Sequence, residues 1–426
     1  MAGISIGKTP HPIAILPFYG TAALCFAVLA LLLFVSADEL TGHHFSPHLL
    51  AIVHTAALGW GTMMIFGAAY QLLPVICERD LYSVPLAVVS YIMLSLGSLL
   101  LVWSFWRFEV GALMFTGGSM VGVAVVLYVI NTCVMVFQHR NITAQHVFLI
   151  SAALWLLITV AMGLLLAVNL QYAFIPGNHL HLLKLHAHAG LAGWFLQLIA
   201  GVSAKLVPMF LLGKSKREWL LYVALGLQNT GLVLFLVDGY YHPIGARMLL
   251  YGGVVALGTV AWLVYLADAY RNRLRPKTEL LMRHAGLSFA CLLLGFVLLP
   301  VIFYLQDTRW VSLYGTVLFL GWITAIILGK TFKTLPFIVW SSHYSHLTGV
   351  AKVPLPKQLY SERLTVYQFY LHIAAFTMLA VGLMMSCIPL IRIALAVWVL
   401  LAAVYIANVA KTIFHKPIYT HGNKTQ

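Results

Sequence analysis

Histidine is the residue type in this sequence that is best placed for chemistry. The chain holds 18 histidines, and the informative ones lie beside or inside two of its apolar segments. His54 stands six residues before Trp60, and His188 stands six residues before Trp194. An imidazole inside an apolar helix is costly unless it is hydrogen-bonded or coordinated, so each of these histidines predicts a functional site.

His186 and His188 form a His-x-His pair. Two helical residues separated by two positions point about 200° apart, so this pair favours two sites on opposite sides of its helix. Imidazole is a good ligand for haem iron and for copper. The alternative is that these histidines only cap or bridge helices near a membrane surface. The matching positions of His54 and His188 favour ligation.

Other histidines flank the same two apolar segments on the side that we predict to face outwards. They would suit the capture of copper, for which imidazole is a good ligand. The predicted metal ligands are His48, His181 and His242. Histidines towards the opposite side, including His284 and His372, are interpreted as interfacial residues.

The elements that position these side chains are predicted to be transmembrane helices. The chain is 62% hydrophobic and only 8% charged, whereas a soluble domain carries about 25% charged residues. So few charges cannot cover a water-facing surface, and the lipid bilayer is the expected environment. The formal net charge of +14 comes from short loops rather than from one basic face, so no nucleic acid is expected as a partner.

Twelve apolar runs are long enough to cross a bilayer. The predicted fold class is therefore all-α, a polytopic membrane protein of about twelve transmembrane helices. Lysine and arginine concentrate on one side, which predicts cytoplasmic termini in the inner membrane of a prokaryote. The predicted spans are 12–36, 47–77, 83–106, 109–138, 143–170, 182–212, 217–238, 244–270, 282–305, 309–338, 364–388 and 389–414.

One pattern, Gly-Trp-x6-Gly-x6-Pro, occurs three times at separations of 134 and 128 residues. Its small residues allow helices to approach closely in lipid, and its proline predicts a kink or a helix end. The spacing predicts a single membrane domain, 1–426, with three four-helix pseudo-repeats at about 12–138, 143–270 and 282–414. The residues of the pattern are Gly59, Trp60, Gly67, Pro74, Gly193, Trp194, Gly201, Pro208, Gly321, Trp322, Gly329 and Pro336.

The run from His48 to Trp60, HLLAIVHTAALGW, followed by FGAAYQLLP, resembles the second helix of subunit I of the haem–copper oxidases and nitric oxide reductases, the C-type members above all. The chain is also similar to membrane haem proteins linked to nitric oxide tolerance. The resemblance implies that His54 and either His186 or His188 bracket a b-type haem. It further implies copper as a second cofactor and a partner subunit that carries cytochrome c or copper.

The chain departs from that family at the binuclear centre. The family has an adjacent His-His pair on its seventh helix, where this chain has no histidine before His242, and Thr316 stands where a tenth-helix histidine would match His54. We therefore expect a haem-binding redox protein that handles electrons, nitric oxide or oxygen without the usual binuclear ligands. The alternatives are a histidine-lined transporter or assembly factor for metal or haem, and a haem or gas sensor without turnover.

Overall fold

Twelve long helices make up the fold in a computed structural model, which describes residues 10–139, 141–243, 245–274, 279–348 and 351–417. Each helix is long and apolar enough to cross a membrane, and no strand occurs within these ranges. The predicted all-α fold class is confirmed. The helices are α1 (Pro12–Val35), α2 (Pro47–Ile76), α3 (Val84–Arg107), α4 (Ala112–Phe137), α5 (Ala144–Tyr172), α6 (His179–Leu211), α7 (Trp219–Tyr241), α8 (Arg247–Arg271), α9 (Leu280–Leu305), α10 (Thr308–Leu347), α11 (Glu362–Met384) and α12 (Ile388–Ile413).

Several helices extend beyond their predicted ends, and the extensions of α6 and α10 change the interpretation of the sequence pattern. The Asn178 side chain caps α6 by accepting a hydrogen bond from the Leu180 amide at 2.9 Å. This cap brings His179 and His181 into the first turn of the helix, where the sequence pattern indicated a loop. At the other side, α10 continues through Pro336 to its end instead of stopping near it.

The helices that carry the Gly-Trp pattern, α2, α6 and α10, pack on α1, α5 and α9 through glycines. A Cβ atom at Gly59 would lie 3.0 Å from Cys25 Sγ, and one at Gly67 would lie 2.7 Å from Phe18 Cβ. Only glycine allows the helix backbones this separation. The same contacts recur at Gly193 on Trp155, Gly201 on Phe148, Gly321 on Cys291 and Gly329 on His284.

A polar contact also recurs between the third and fourth helix of each predicted unit. Asn131 Oδ1 accepts a hydrogen bond from the Ser83 amide at 3.2 Å, and Asn131 Nδ2 donates to the Ser83 carbonyl at 2.9 Å. Two further pairs occupy the corresponding places, Asn408 with Ser361 and Asp268 with Ser215. These contacts support the interpretation of three four-helix units, whose residue bounds stay a prediction.

The three Gly-Trp helices widen into π-helical turns at one level. These segments are Thr55–Thr62, Ala189–Leu196 and Thr316–Ile323. They begin directly after His54, after His188 and after Gly315 in the third copy. Because π-helical turns are frequent at functional sites, this level of the bundle is a candidate location for the functional site.

The tryptophans of the pattern connect one unit to the next. Trp60 Nε1 donates to Thr324 Oγ1 at 3.0 Å, which joins the first unit to the third. Trp194 Nε1 donates to Thr62 Oγ1 at 3.1 Å, which joins the second unit to the first. Each acceptor threonine stands two residues after the tryptophan of its own unit.

The third tryptophan breaks this pattern. Trp322 is buried, and its Nε1 has no hydrogen-bond partner within the described ranges. The position two residues after Trp194, where the matching threonine would stand, is Leu196. The interface between the second and third units therefore lacks the polar link that the other two interfaces have.

Candidate functional site

A cavity of about 980 Å³ lies between the three predicted units, at the level where α2, α6 and α10 begin. Its size falls within the range of roughly 300–1,000 Å³ that is typical of small-molecule and cofactor sites. Its lining is mostly apolar. The polar side chains that reach it include His54, His186, His188, Lys184 and Tyr314.

His54 reaches the cavity from the last α-helical position before the π-helical turn of α2. Its Nδ1–H donates to the carbonyl of Leu50, one turn earlier, at 2.8 Å. Its ring stacks on Phe105 of α3, with the centroids 4.5 Å apart and the planes inclined by 28°. These contacts fix the ring and leave Nε2 without a hydrogen-bond partner among the described residues.

His186 reaches the same cavity from α6 and lies against the backbone of α5. Its Nδ1–H donates to the carbonyl of Thr159 at 3.0 Å. One turn further along α5, a Cβ atom at Gly163 would lie only 2.8 Å from Cε1 of the His186 ring. His186 is near enough to His54 for the two imidazoles to interact electrostatically, and its Nε2 also has no partner in the described part of the chain.

His188 points to a different face of α6. Its Nδ1–H donates to the Lys184 carbonyl at 2.8 Å, and its Nε2 lies 3.4 Å from the Tyr314 hydroxyl of α10. Its ring also contacts Phe235 of α7 at a centroid distance of 5.1 Å. The structure therefore brings His54 together with His186, while His188 faces the boundary between the second and third units.

The three imidazoles share one tautomer. Because a carbonyl oxygen can only accept a hydrogen bond, each Nδ1 carries the proton and each Nε2 keeps its lone pair. Histidines that ligate metals usually donate their other ring N–H to a carbonyl or carboxylate, which orients the ring and raises its basicity. His54 and His186 thus offer the donor nitrogens that a haem iron takes, from two helices that line one apolar cavity.

The outer histidines are held separately. His48 is hydrogen-bonded to the Glu39 carboxylate, His181 to a main-chain carbonyl of α7, and His242 Nδ1 lies 2.9 Å from an Asp238 oxygen. Across the described ranges, no group of three or more His, Cys, Asp or Glu side chains is arranged to hold a metal ion. Metal binding at His48, His181 and His242 stays a prediction to which this geometry adds no support.

Three residues of the site were not found from the sequence. Tyr314 stands 128 residues after His186, the repeat distance between the second and third units, so the repeat itself carried a signal for it. Thr159 contributes only its carbonyl, and Gly163 contributes only the absence of a side chain. No sequence pattern distinguishes such residues, because their role depends on how α6 packs against α5.

No protein-family model matches the chain, and no curated protein matches it in sequence. Among solved structures, the chain is similar to a haem–copper terminal oxidase that was determined as a dimer by cryo-electron microscopy. The TM-score is 0.69 at 11% sequence identity, over 96% of this chain and 85% of the oxidase chain. At this identity the likeness shows the fold: the chain is an integral membrane protein with the fold of a haem–copper terminal oxidase.

Proposed function

We propose that this chain is a membrane redox protein that holds one b-type haem between His54 and His186. One observation carries the proposal: imidazoles from α2 and α6 line one apolar cavity, and a carbonyl fixes Nδ1 of each, so that each Nε2 keeps its lone pair. The oxidase-like fold is consistent with this function. The haem would supply one-electron chemistry at its iron.

The residues of the chain would bind and orient that group. His54 and His186 would hold the iron through imidazole nitrogens, and the group would supply electron transfer. The carbonyls of Leu50 and Thr159 hold the two rings, and the ring of Phe105 packs flat against His54. The apolar lining of the cavity excludes water, which is one of the means by which proteins set a haem potential.

The polar end of the haem would lie where the cavity carries Lys184, His43 and His44. Burial lowers the pKa of His44, and the nearby His43 and Lys184 lower it further. Lys184 is thus the positive charge of this cluster. It is the natural counter-charge for a carboxylate such as a haem propionate.

The wider setting is part of the same proposal. The excess of lysine and arginine at one side supports cytoplasmic termini in a prokaryotic inner membrane. The haem would then lie towards the outer side, where a subunit that carries cytochrome c or copper would exchange electrons with it. The family resemblance implies nitric oxide or oxygen as the substrate. It also implies a copper ion as the second cofactor.

A spectrum of the detergent-purified protein with a pyridine haemochrome assay tests the proposal. We expect one haem b per chain with sharp reduced bands, and loss of this low-spin spectrum in His54→Ala. His188→Ala is the matched control and should keep the spectrum, because that ring faces α7 and α10. Folded protein without haem, or a normal spectrum in His54→Ala, would overturn the assignment.

A further inference from the structure

A second pair of histidines lies inside the third unit, apart from the cavity. His284 of α9 and His372 of α11 are both 0% exposed. Their rings are nearly parallel, inclined by 19°, with centroids 5.8 Å apart. The interpretation of these two histidines as interfacial residues is wrong, because α10 approaches α9 so closely at Gly329 that the His284 side chain is enclosed.

Most ring nitrogens of this pair have no protein partner. His372 Nε2–H donates to the carbonyl of Leu320 at 2.9 Å, so its Nδ1 is the lone-pair nitrogen. That Nδ1 and both ring nitrogens of His284 are buried without a hydrogen bond within the described ranges. Buried polar atoms in proteins are normally satisfied, and an exception calls for a specific explanation.

The first unit shows that packing does not require histidine here. Phe18 faces Gly67 in the first unit as His284 faces Gly329 in the third, so the two side chains occupy matching places. Leu94 matches His372 by its distance from the serine that contacts the fourth helix of its unit. Leu94 stands eleven residues after Ser83, and His372 stands eleven residues after Ser361. Phe18 and Leu94 are also 0% exposed. The third unit thus carries two metal-ligating side chains where an apolar core suffices.

The surroundings of the pair are polar but uncharged. Gln368 Oε1 and Trp398 Nε1 are buried beside it and also lack partners among the described residues. The His372 ring contacts Trp398 at a centroid distance of 5.4 Å. Within the described ranges, no Asp, Glu or Cys side chain joins the two histidines in a group of three that could hold a metal ion.

These observations select the kind of ligand. Imidazole nitrogens suit copper and zinc. The ring centroids lie 5.8 Å apart, which is within the distance that one ion bound to a nitrogen of each ring would span. A divalent ion would bury two positive charges without a carboxylate, which is strongly unfavourable in an apolar interior. We propose that His284 and His372 bind one Cu(I) ion, through Nδ1 of His372 and one ring nitrogen of His284.

Anaerobic titration of the purified full-length protein with Cu(I), in competition with bicinchoninate, tests this site. We expect one tightly held Cu(I) per chain and two nitrogen ligands by X-ray absorption. The variant His284→Phe/His372→Leu, which copies the first unit, should lose this ion while it remains monodisperse. Haem content, measured on the same samples, should not change, so failure of this proposal is separable from failure of the haem site.

A matched control distinguishes this site from the outer histidines. His48→Gln/His242→Gln should keep the tight Cu(I), because neither residue approaches α9 or α11. Three results would overturn the proposal: no stoichiometric Cu(I) in the wild type, which would indicate that the pair holds water only; full binding in the His284→Phe/His372→Leu variant; or stoichiometric Zn(II) with no preference for Cu(I).

Discussion

The cavity and the interior of the third unit each bring together two histidines from different helices, but they hold the rings differently. At the cavity, carbonyls fix Nδ1 of His54 and His186, and both residues line the open space. Inside the third unit, one of the four ring nitrogens of His284 and His372 is held, and neither residue lines that cavity. A wide planar cofactor needs room and oriented ligands, whereas a single ion needs only two near nitrogens.

The largest effect is expected from a variant that removes the histidine pair of the cavity and leaves the pair inside the third unit intact. His54→Ala/His186→Ala should abolish haem binding, because both proposed axial ligands are removed, and should leave one Cu(I) per chain. Pyridine haemochrome and copper analysis on one preparation measure both quantities. Loss of both cofactors from a monodisperse protein would contradict the separation and indicate one coupled site.

The next largest effect is expected when the contact between His186 and the Thr159 carbonyl is disturbed. In Gly163→Ala the new methyl group would lie 2.8 Å from the His186 ring and push it away from the Thr159 carbonyl. Partners that orient a ligand are typically worth about 10–100-fold in affinity, so we expect haem affinity to fall by about tenfold. Haem transfer to apomyoglobin measures the loss.

Gly226→Ala is the control for that substitution, since a Cβ atom at this position of α7 meets nothing within 4 Å. It should retain haem as well as the wild type does. Equal haem retention in Gly163→Ala and the wild type would remove His186 from the proposed ligand set.

A smaller effect is expected at the other face of α6. Tyr314→Phe removes the hydroxyl that lies 3.4 Å from His188 Nε2, and a hydrogen bond of this kind contributes about 0.5–1.5 kcal/mol. Thermal unfolding in detergent should show a correspondingly small destabilisation with unchanged haem content. A loss of haem in this variant would bring His188 back as the partner of His54.

An effect of similar size is expected at the interface between the first and second units, where Trp194 donates a hydrogen bond to Thr62. Thr62→Val deprives Trp194 of its acceptor and should destabilise the protein by about 1 kcal/mol. A double-mutant cycle with Trp194→Phe isolates the bond, because the two losses should then not add. If the losses in the free energy of unfolding are additive, the hydrogen bond between Trp194 and Thr62 does not stabilise the contact between these two units.

The sequence predicted the fold well because apolar run length and the Gly-Trp spacing are local signals. It could not choose between His186 and His188, since residues two apart point to opposite faces and only the neighbouring helices decide which face meets His54. It also misjudged His284, because sequence position gives the depth of a residue along a helix but not its side. The close approach at Gly329, which encloses His284, is a tertiary contact.

The recurring glycine contacts have a consequence for engineering. They bring α1 against α2, α5 against α6 and α9 against α10 at equally short distances, although the side chains that face the glycines differ. The side chains between such backbones can therefore be exchanged as an experiment, and Phe18→His/Leu94→His would place two histidines in the first predicted unit at the positions that match His284 and His372.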